Sequence, residues 1–206
     1  MKTRLAVAIG PEAAADLYRV LVERVLEATT PRPGDYERLV FFDPPGALEE
    51  MRAWLPGVCL LPQGGGDLGE RMADAFARAF ARGARRVAIV GTDVPGVTRE
   101  TVGEALSALD AADVALGPAE DGGYYLLALR EPRPDLLSGI AWSTATVAAE
   151  TRARAAASRL AVRELPALHD LDVLDDLRGL WPGLEALLEN RPALRETLRR
   201  HVDVLG

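Results

Sequence analysis

Four stretches carry the residues most able to do chemistry in this chain. Asp93 closes the run Val87-Ala88-Ile89-Val90-Gly91-Thr92-Asp93-Val94-Pro95. A carboxylate released where a short apolar run stops can hold a divalent cation or a substrate, and an Asp there can equally be a plain turn cap; the residues alone leave both readings open. Glu120-Asp121-Gly122-Gly123-Tyr124 sets two carboxylates beside two glycines at a strand junction. That suits acid–base work with close ligand approach, and it also suits a hairpin turn. Gln63-Gly64-Gly65-Gly66-Asp67 precedes a helix, so its backbone can approach a ligand and the helix amides favour an anion. The loop has neither the Walker lysine nor the dinucleotide fingerprint, so neither an ATPase nor a dehydrogenase is supported. His169-Asp170-Leu171-Asp172 could form a metal corner, or a loop before a helix whose N-terminus attracts acidic residues. At the start of the chain, Lys2 and Arg4 could meet phosphate or be solvated terminal charges.

The elements that must position these residues read as alternating strands and helices. Val87–Val90 is a continuous apolar run, as in a strand buried on both faces of a parallel sheet, and open α/β sheets bind ligands beyond the carboxyl ends of such strands. Residues 1–10 do not read as a strand. From Pro11, Ala14, Leu17, Leu21, Val25 and Ala28 recur at helical spacing up to Thr29. Arg38–Phe42 reads as a strand, Glu49–Trp54 as a short helix, and Val58–Leu61 as an apolar run that makes Cys59 a core residue. Asp67 with Glu70 has the form of a capping box, opening a helix to about Arg82 with Leu68, Met72, Ala75, Phe76, Ala79 and Phe80 on one face. Thr98 caps a helix through Leu109; Asp113–Gly117 and Tyr125–Leu129 follow as strands, then a helix over 146–158 and a strand over 160–165. Val173, Leu174, Leu177 and Leu180 lie on a helix, and Pro182 and Pro192 punctuate two short helices after Trp181.

The length of 206 residues, with 49% hydrophobic content, permits one globular domain with a full core. A net charge of −7 without an isolated basic run excludes an electrostatic footprint for nucleic acid or anionic membrane, so an anionic substrate needs a cation or backbone amides. One cysteine excludes an internal disulfide framework and a cysteine zinc cluster. With no signal peptide and no apolar run of spanning length, a cytoplasmic location is expected.

The order of the motifs is more specific than any one of them. KTRLAVAIGPEAA, QGGGDLGERM, GTDVPGVT, LGPAEDGGYYLLAL, IAWST and HDLDVLDDL, over roughly residues 1–180, resemble a bacterial family of candidate glycosyltransferases with the nucleotide-diphospho-sugar transferase (GT-A-like) fold. Distant relatives include the molybdenum-cofactor guanylyltransferase, and some members are assigned to arsenosugar biosynthesis. The resemblance implies a three-layer α/β/α sandwich with a mostly parallel sheet, followed by a helical C-terminal tail over 181–206. It implies transfer of a sugar from a nucleoside-diphosphate sugar to a small acceptor, with nucleotidyl transfer to a phosphorylated small molecule, or a non-catalytic scaffold, as alternatives. Asp93 and Asp172 resemble the family's holders of Mg²⁺ or Mn²⁺. Lys2, Arg4, Gly65, Gly66, Asp67, Arg71 and Thr92 match its nucleotide and phosphate side. Asp121 is implied as the catalytic base or acceptor contact, with Gly122, Gly123 and Tyr124 on the acceptor side. Family members carry an apolar strand and a loop before the KTRL motif, whereas this sequence opens on Met1-Lys2. The sheet is therefore expected to lack its usual first strand, and the edge so exposed motivates a homodimer.

Overall fold

The computed structural model describes residues 3–203. The order is α1 (Thr3–Ile9), α2 (Pro11–Ala28), β1 (Leu39–Phe42), α3 (Leu48–Trp54), β2 (Cys59–Pro62), α4 (Leu68–Ala81), β3 (Val87–Val90) and α5 (Arg99–Ala108). It continues with β4 (Val114–Pro118), β5 (Tyr124–Leu129), α6 (Val147–Ala157), β6 (Val162–Glu164), α7 (Leu174–Leu187) and α8 (Pro192–Val202). Local chemistry sets several of these boundaries. Asp67 accepts from the Glu70 amide at 2.9 Å while the Glu70 carboxylate accepts from the Asp67 amide at 2.9 Å, so both halves of the expected capping box form at α4. Thr98 and Thr101 exchange the corresponding bonds at α5.

The strands are sandwiched between helices. Val87 and Ile89 of β3, Val114 and Leu116 of β4, and Leu127 and Leu129 of β5 pack with Met72 and Phe76 of α4 and Ala148 and Ala155 of α6. The alternate residues, Ala88 and Val90, Ala115, and Leu126 and Ala128, face Val102 and Ala105 of α5 on the other side. This is the period-two division of a strand between two cores, and it yields the expected α/β/α layering. α7 and α8 are more than a tail, because Leu177, Trp181, Leu184, Leu194 and Leu198 form one core with Leu5 of α1 and Leu17 and Leu21 of α2.

The strands form two sheets. β1 and β2 pair in parallel, whereas the second sheet has the order β3-β5-β4-β6, with β5 antiparallel to both neighbours and β4 parallel to β6. The division corrects one expectation. Val87–Val90 is a strand, but all four residues are half-buried and not enclosed, because among the described residues β3 has a strand on one edge only. Cys59 is exposed and does not belong to the core, since it begins a strand at the end of the two-stranded sheet. Leu68, on the first turn of α4, is half-exposed and lies off the buried face. Pro182 does not break the helix at that point: α7 continues through it to Leu187. An interior proline costs roughly 3 kcal/mol, and the buried Leu177, Trp181 and Leu184 on the same helix, each worth roughly 1.5–3 kcal/mol, offset it.

Candidate functional site

Three chain segments that are far apart in sequence are pinned together at the carboxyl end of β3. After Val90, the Gly91 amide makes the last rung to the Tyr125 carbonyl at 2.8 Å, and the chain then turns. Val94 and Val97 are buried and hold the turn down, which leaves Asp93 between them and the strand. The Asp93 carbonyl accepts from the amide of Leu171 at 3.1 Å, and Leu171 is itself fully buried. The second segment is the β4–β5 hairpin turn. It is closed by Ala119 N–H to Gly123 O at 3.0 Å and Gly122 N–H to Ala119 O at 3.2 Å, and the Asp121 carboxylate accepts from the Gly123 amide at 2.8 Å. The hairpin reading of this turn is therefore correct, and the turn still presents its carboxylates. The third segment, the loop before α7, runs beside the hairpin. Leu168 donates to Pro118 O and Glu120 donates to Leu168 O, each at 3.2 Å, and His169 Nε2 lies 3.0 Å from Glu120 Oε1.

The electrostatics show that these segments bring like charges together. Burial, reinforced by the neighbouring Asp121 and then by Asp93 and Asp176, raises the Asp170 carboxyl to about 6. A backbone hydrogen bond opposes that rise only in part. Converging carboxylates of this kind accommodate a hard divalent cation, because its charge removes the repulsion. Among the described residues no group of three or more His, Cys, Asp or Glu side chains forms a metal cage. The charges of Asp121 and Asp93 both act on the half-buried Asp170.

Asp170 belongs to the His169–Asp172 stretch that the sequence offers as a metal corner or a loop before a helix, although the resemblance singles out Asp172 there. Asp170 and Asp172 flank Leu171 in an extended loop, and a buried Leu171 turns both neighbours to the opposite side. That i, i+2 pattern around an apolar residue was the available signal. Because the folded-state pKa of Asp170 is raised, its ionisation destabilises the fold. Stability from this group is fully present below the ordinary carboxylate range and is lost as pH rises through about 6. Asp170→Asn is thus expected to match the native chain near pH 3.5 and to exceed it in thermal stability above pH 6, measured without divalent cation. A difference that does not change with pH would mean that the acidic residues do not converge.

The remaining expected site residues divide. Asp172 Oδ2 lies 3.3 Å from Arg4 Nη1, so α1 is anchored at the same end of β3 and Arg4 meets a carboxylate. The Asp172 amide and that of Val173 donate to Asp176 Oδ2 at 2.8 and 2.7 Å, which places Asp176 as the cap of α7. Thr92 Oγ1 is 3.0 Å from the Tyr18 hydroxyl of α2. Lys2 lies outside the described residues. In the glycine loop, Gly66 has φ +92°, and a Cβ there would fall on the Glu70 carboxylate, so Asp67 and Glu70 occupy the start of α4 themselves. Gly65 lies in the same loop, where a Cβ would meet nothing within 4 Å. Arg71 ties that loop down through Gly66 O at 3.0 Å and Gln63 Oε1 at 3.3 Å, and reaches Asp43 Oδ2 at 3.4 Å. The first turn of α4 meets the hairpin through aromatic rings. A side chain at Gly69 would collide with Trp142, whose ring stands edge-on to Tyr124 at 6.3 Å. Burial holds the Tyr124 phenol well above its usual range, so it packs as part of the core and does not donate a proton near neutral pH.

Two clefts, of about 260 Å³ between α4 and Pro132–Leu137 and about 370 Å³ beside Arg99, are lined by none of Asp93, Asp121, Asp170 and Asp172. No helix among the described residues is long and apolar enough to cross a membrane.

The chain is similar to several known proteins. The model of a family described as "Uncharacterized protein conserved in bacteria (DUF2064)" matches residues 25–144, more than half of the chain. The crystal structure of a candidate nucleotide-diphospho-sugar transferase from Desulfovibrio desulfuricans G20 superposes with a TM-score of 0.83 at 36% identity, covering 96% of this chain and 91% of that one. A protein of Chloroflexus aggregans named phosphoenolpyruvate guanylyltransferase is 32% identical over 187 residues, 86% of this chain and 89% of that protein. CMP:2-keto-3-deoxy-manno-octonic acid synthetase complexed with CTP shares the fold alone, with a TM-score of 0.57 at 15% identity over 81% of this chain and 88% of that one.

Proposed function

The chain belongs to the DUF2064 family of bacterial proteins, and from that premise we propose that it is a divalent-cation-dependent nucleotidylyltransferase acting on a small phosphorylated acid. The observation that carries the reading is the convergence of Asp93, Asp121 and Asp170 at the carboxyl end of β3, the position at which α/β sheets bind ligands. The guanylyltransferase name of the 32%-identical Chloroflexus protein supports the reaction class. In the reaction, an anionic oxygen of the acceptor's phosphate attacks the α-phosphorus of a nucleoside triphosphate. The bond from that phosphorus to the α–β bridging oxygen breaks, and pyrophosphate leaves with the bond electrons. A phosphate monoester is already ionised at neutral pH, so the nucleophile needs no general base. Asp93 and Asp170 would hold the cation, which supplies Lewis-acid neutralisation of the phosphates. Asp121, fixed by the Gly123 amide, would orient the acceptor side.

A second reading, sugar transfer from a nucleoside-diphosphate sugar, is favoured by the Desulfovibrio structure and by Asp121 as a base. Product analysis separates the two. The chain is incubated with each nucleoside triphosphate and a panel of phosphorylated carboxylic acids including phosphoenolpyruvate, and in parallel with nucleoside-diphosphate sugars, with and without Mg²⁺ or Mn²⁺. Pyrophosphate release with one triphosphate, abolished by EDTA, is the expected result. Nucleoside-diphosphate release from a sugar donor with no pyrophosphate from any triphosphate would replace the first reading with the second.

A further inference from the structure

We infer that Ser143 selects the acceptor, its hydroxyl donating a hydrogen bond to a carboxylate carried by the phosphorylated molecule. The inference deepens the nucleotidylyltransferase reading and rests on it. Its starting point is the backbone. Among the described residues, two positions other than glycine have φ in the left-handed region, Ser143 at 63° and Arg159 at 55°. That conformation crowds Cβ against the backbone and is disfavoured for a residue with a side chain. Arg159 has a local reason for it. The residue follows α6, where its amide donates to Ala156 O and the Leu160 amide to Ala155 O, each at 2.9 Å, so it closes the helix end. Ser143 follows no helix end. Strain of this kind persists only where the surrounding structure imposes it, and it concentrates at ligand contacts.

The structure imposes it from both sides. Before Ser143, Trp142 packs on the core that holds Met72 and Phe76 and stands edge-on to Tyr124. It also closes on Gly69 of α4, where an added Cβ would lie 2.8 Å from the indole nitrogen. After Ser143, the Ala145 carbonyl oxygen abuts Gly122 of the hairpin turn, and the Ala148 amide bonds Gly122 O at 3.0 Å. Ser143 is thus held between two fixed points. Two residues of chain span at most about 7 Å, which keeps it close to Ala145 and so to the turn that carries Asp121.

Its hydroxyl has no task in the fold. Thr144 donates to Ala141 O at 2.7 Å and lies 3.0 Å from the Thr146 hydroxyl, which donates to Glu150 Oε1 at 2.8 Å. Ser143 is exposed, and neither its hydroxyl nor the amides of Ser143, Thr144 and Ala145 donate to a described residue. A hydroxyl and successive free amides in a turn form a set of neutral donors suited to an anion.

The neighbouring charges decide which anion. Asp121 and Glu120 accept hydrogen bonds when ionised and offer none, and His169 already lies 3.0 Å from Glu120 Oε1. In the reaction proposed above, the acceptor's phosphate is the nucleophile and belongs with the cation. A carboxylate on the same molecule would meet repulsion from Asp121 unless donors receive it. The segment from Ser143 to Ala145 is where this side of the site supplies them.

The test measures pyrophosphate release at saturating triphosphate and Mg²⁺ by the native chain, Ser143→Ala and Ser143→Gly. Each phosphorylated acid is paired with the ester that lacks only the carboxyl group: phosphoenolpyruvate with vinyl phosphate, and phosphoglycolate with methyl phosphate. Loss of the carboxyl group is expected to lower kcat/KM of the native chain by about 10- to 100-fold, the scale of a hydrogen bond to a charged group. Ser143→Ala should raise KM for the acid by a similar factor, with kcat and the triphosphate KM within about threefold of native, and should discriminate correspondingly less against the carboxyl-free partner. Ser143→Gly should lose the same discrimination while its Tm rises by a few degrees, because glycine relieves the left-handed strain. A variant that is more stable yet less selective separates contact with the acceptor from upkeep of the fold. The inference is overturned if both variants keep the native KM and discrimination, if they lose equally toward acids and carboxyl-free esters, or if Ser143→Gly melts below the native chain. Should the native chain release no pyrophosphate with any triphosphate and acceptor, the reaction reading has failed and the inference falls with it. Native turnover with unchanged variants sinks the inference alone.

Discussion

Asp93→Asn is expected to lower divalent-dependent turnover by about 1,000-fold, the scale of losing a preorganised electrostatic contact at a phosphoryl centre. The fold should survive, because Val94 and Val97 anchor the turn by burial and the link to Leu171 is made by the Asp93 backbone. The substitution carries a second signature. The Asp93 carboxylate is one of the charges holding the Asp170 carboxyl high, so its removal should move Asp170 titration toward lower pH. Kinetics at saturating nucleotide with varied Mn²⁺, together with carboxyl titration by NMR, tests both. A variant that keeps full turnover at ordinary metal concentration would remove Asp93 from the site. A variant that loses turnover while Asp170 titrates as before would mean that the two carboxylates do not share a field.

The largest effect on stability is expected at Gly122→Ala. The residue has φ +91°, a conformation strained for any residue with a side chain, and a Cβ there would sit 2.1 Å from the carbonyl oxygen of Ala145. That oxygen is backbone in the segment leading into α6, and the Gly122 carbonyl accepts from the Ala148 amide at 3.0 Å, so neither partner can move alone. Conformational strain and overpacking together should cost about 3 kcal/mol or more. Gly139→Ala is the control: φ there is +66°, but nothing lies within 4 Å of the new Cβ, so only the conformational cost of about 1–2 kcal/mol applies. Urea unfolding of both variants separates the terms. Equal losses would show that the turn carrying Asp121 is not held against Ala145. Because Asp121 rides on this turn, surviving Gly122→Ala protein should also turn over slowly.

Much of the architecture can be read along the chain because it depends on neighbours close in sequence. The capping box of Asp67 and Glu70, the Thr98 cap and the apolar spacing of α2 involve residues within a turn or two of one another, and each forms as expected. The alternation within Val87–Val90 likewise sorts Val87 and Ile89 to one face and Ala88 and Val90 to the other. Reading Cys59 as core, Val87–Val90 as enclosed and Pro182 as a helix end fails for a common reason. Burial of a strand depends on what lies at its edge, and tolerance of a proline depends on what the rest of the helix packs against. The site follows the same rule. Asp93 and Asp121 stood out through the glycines and strand ends beside them, while the stretch 169–172 stayed open between a metal corner and a loop before a helix, with the alternation around Leu171 as the one local sign of Asp170. Its raised pKa comes first from burial and then from the charges at positions 121 and 93, which only long-range folding brings to it. The sequence by itself determined where helices begin, which strand faces are apolar and where carboxylates meet glycines, since these are local propensities. Only the tertiary structure decided which carboxylates share one field and which strand edges stay open, because Coulomb repulsion and strand pairing act through space between residues that the chain places far apart.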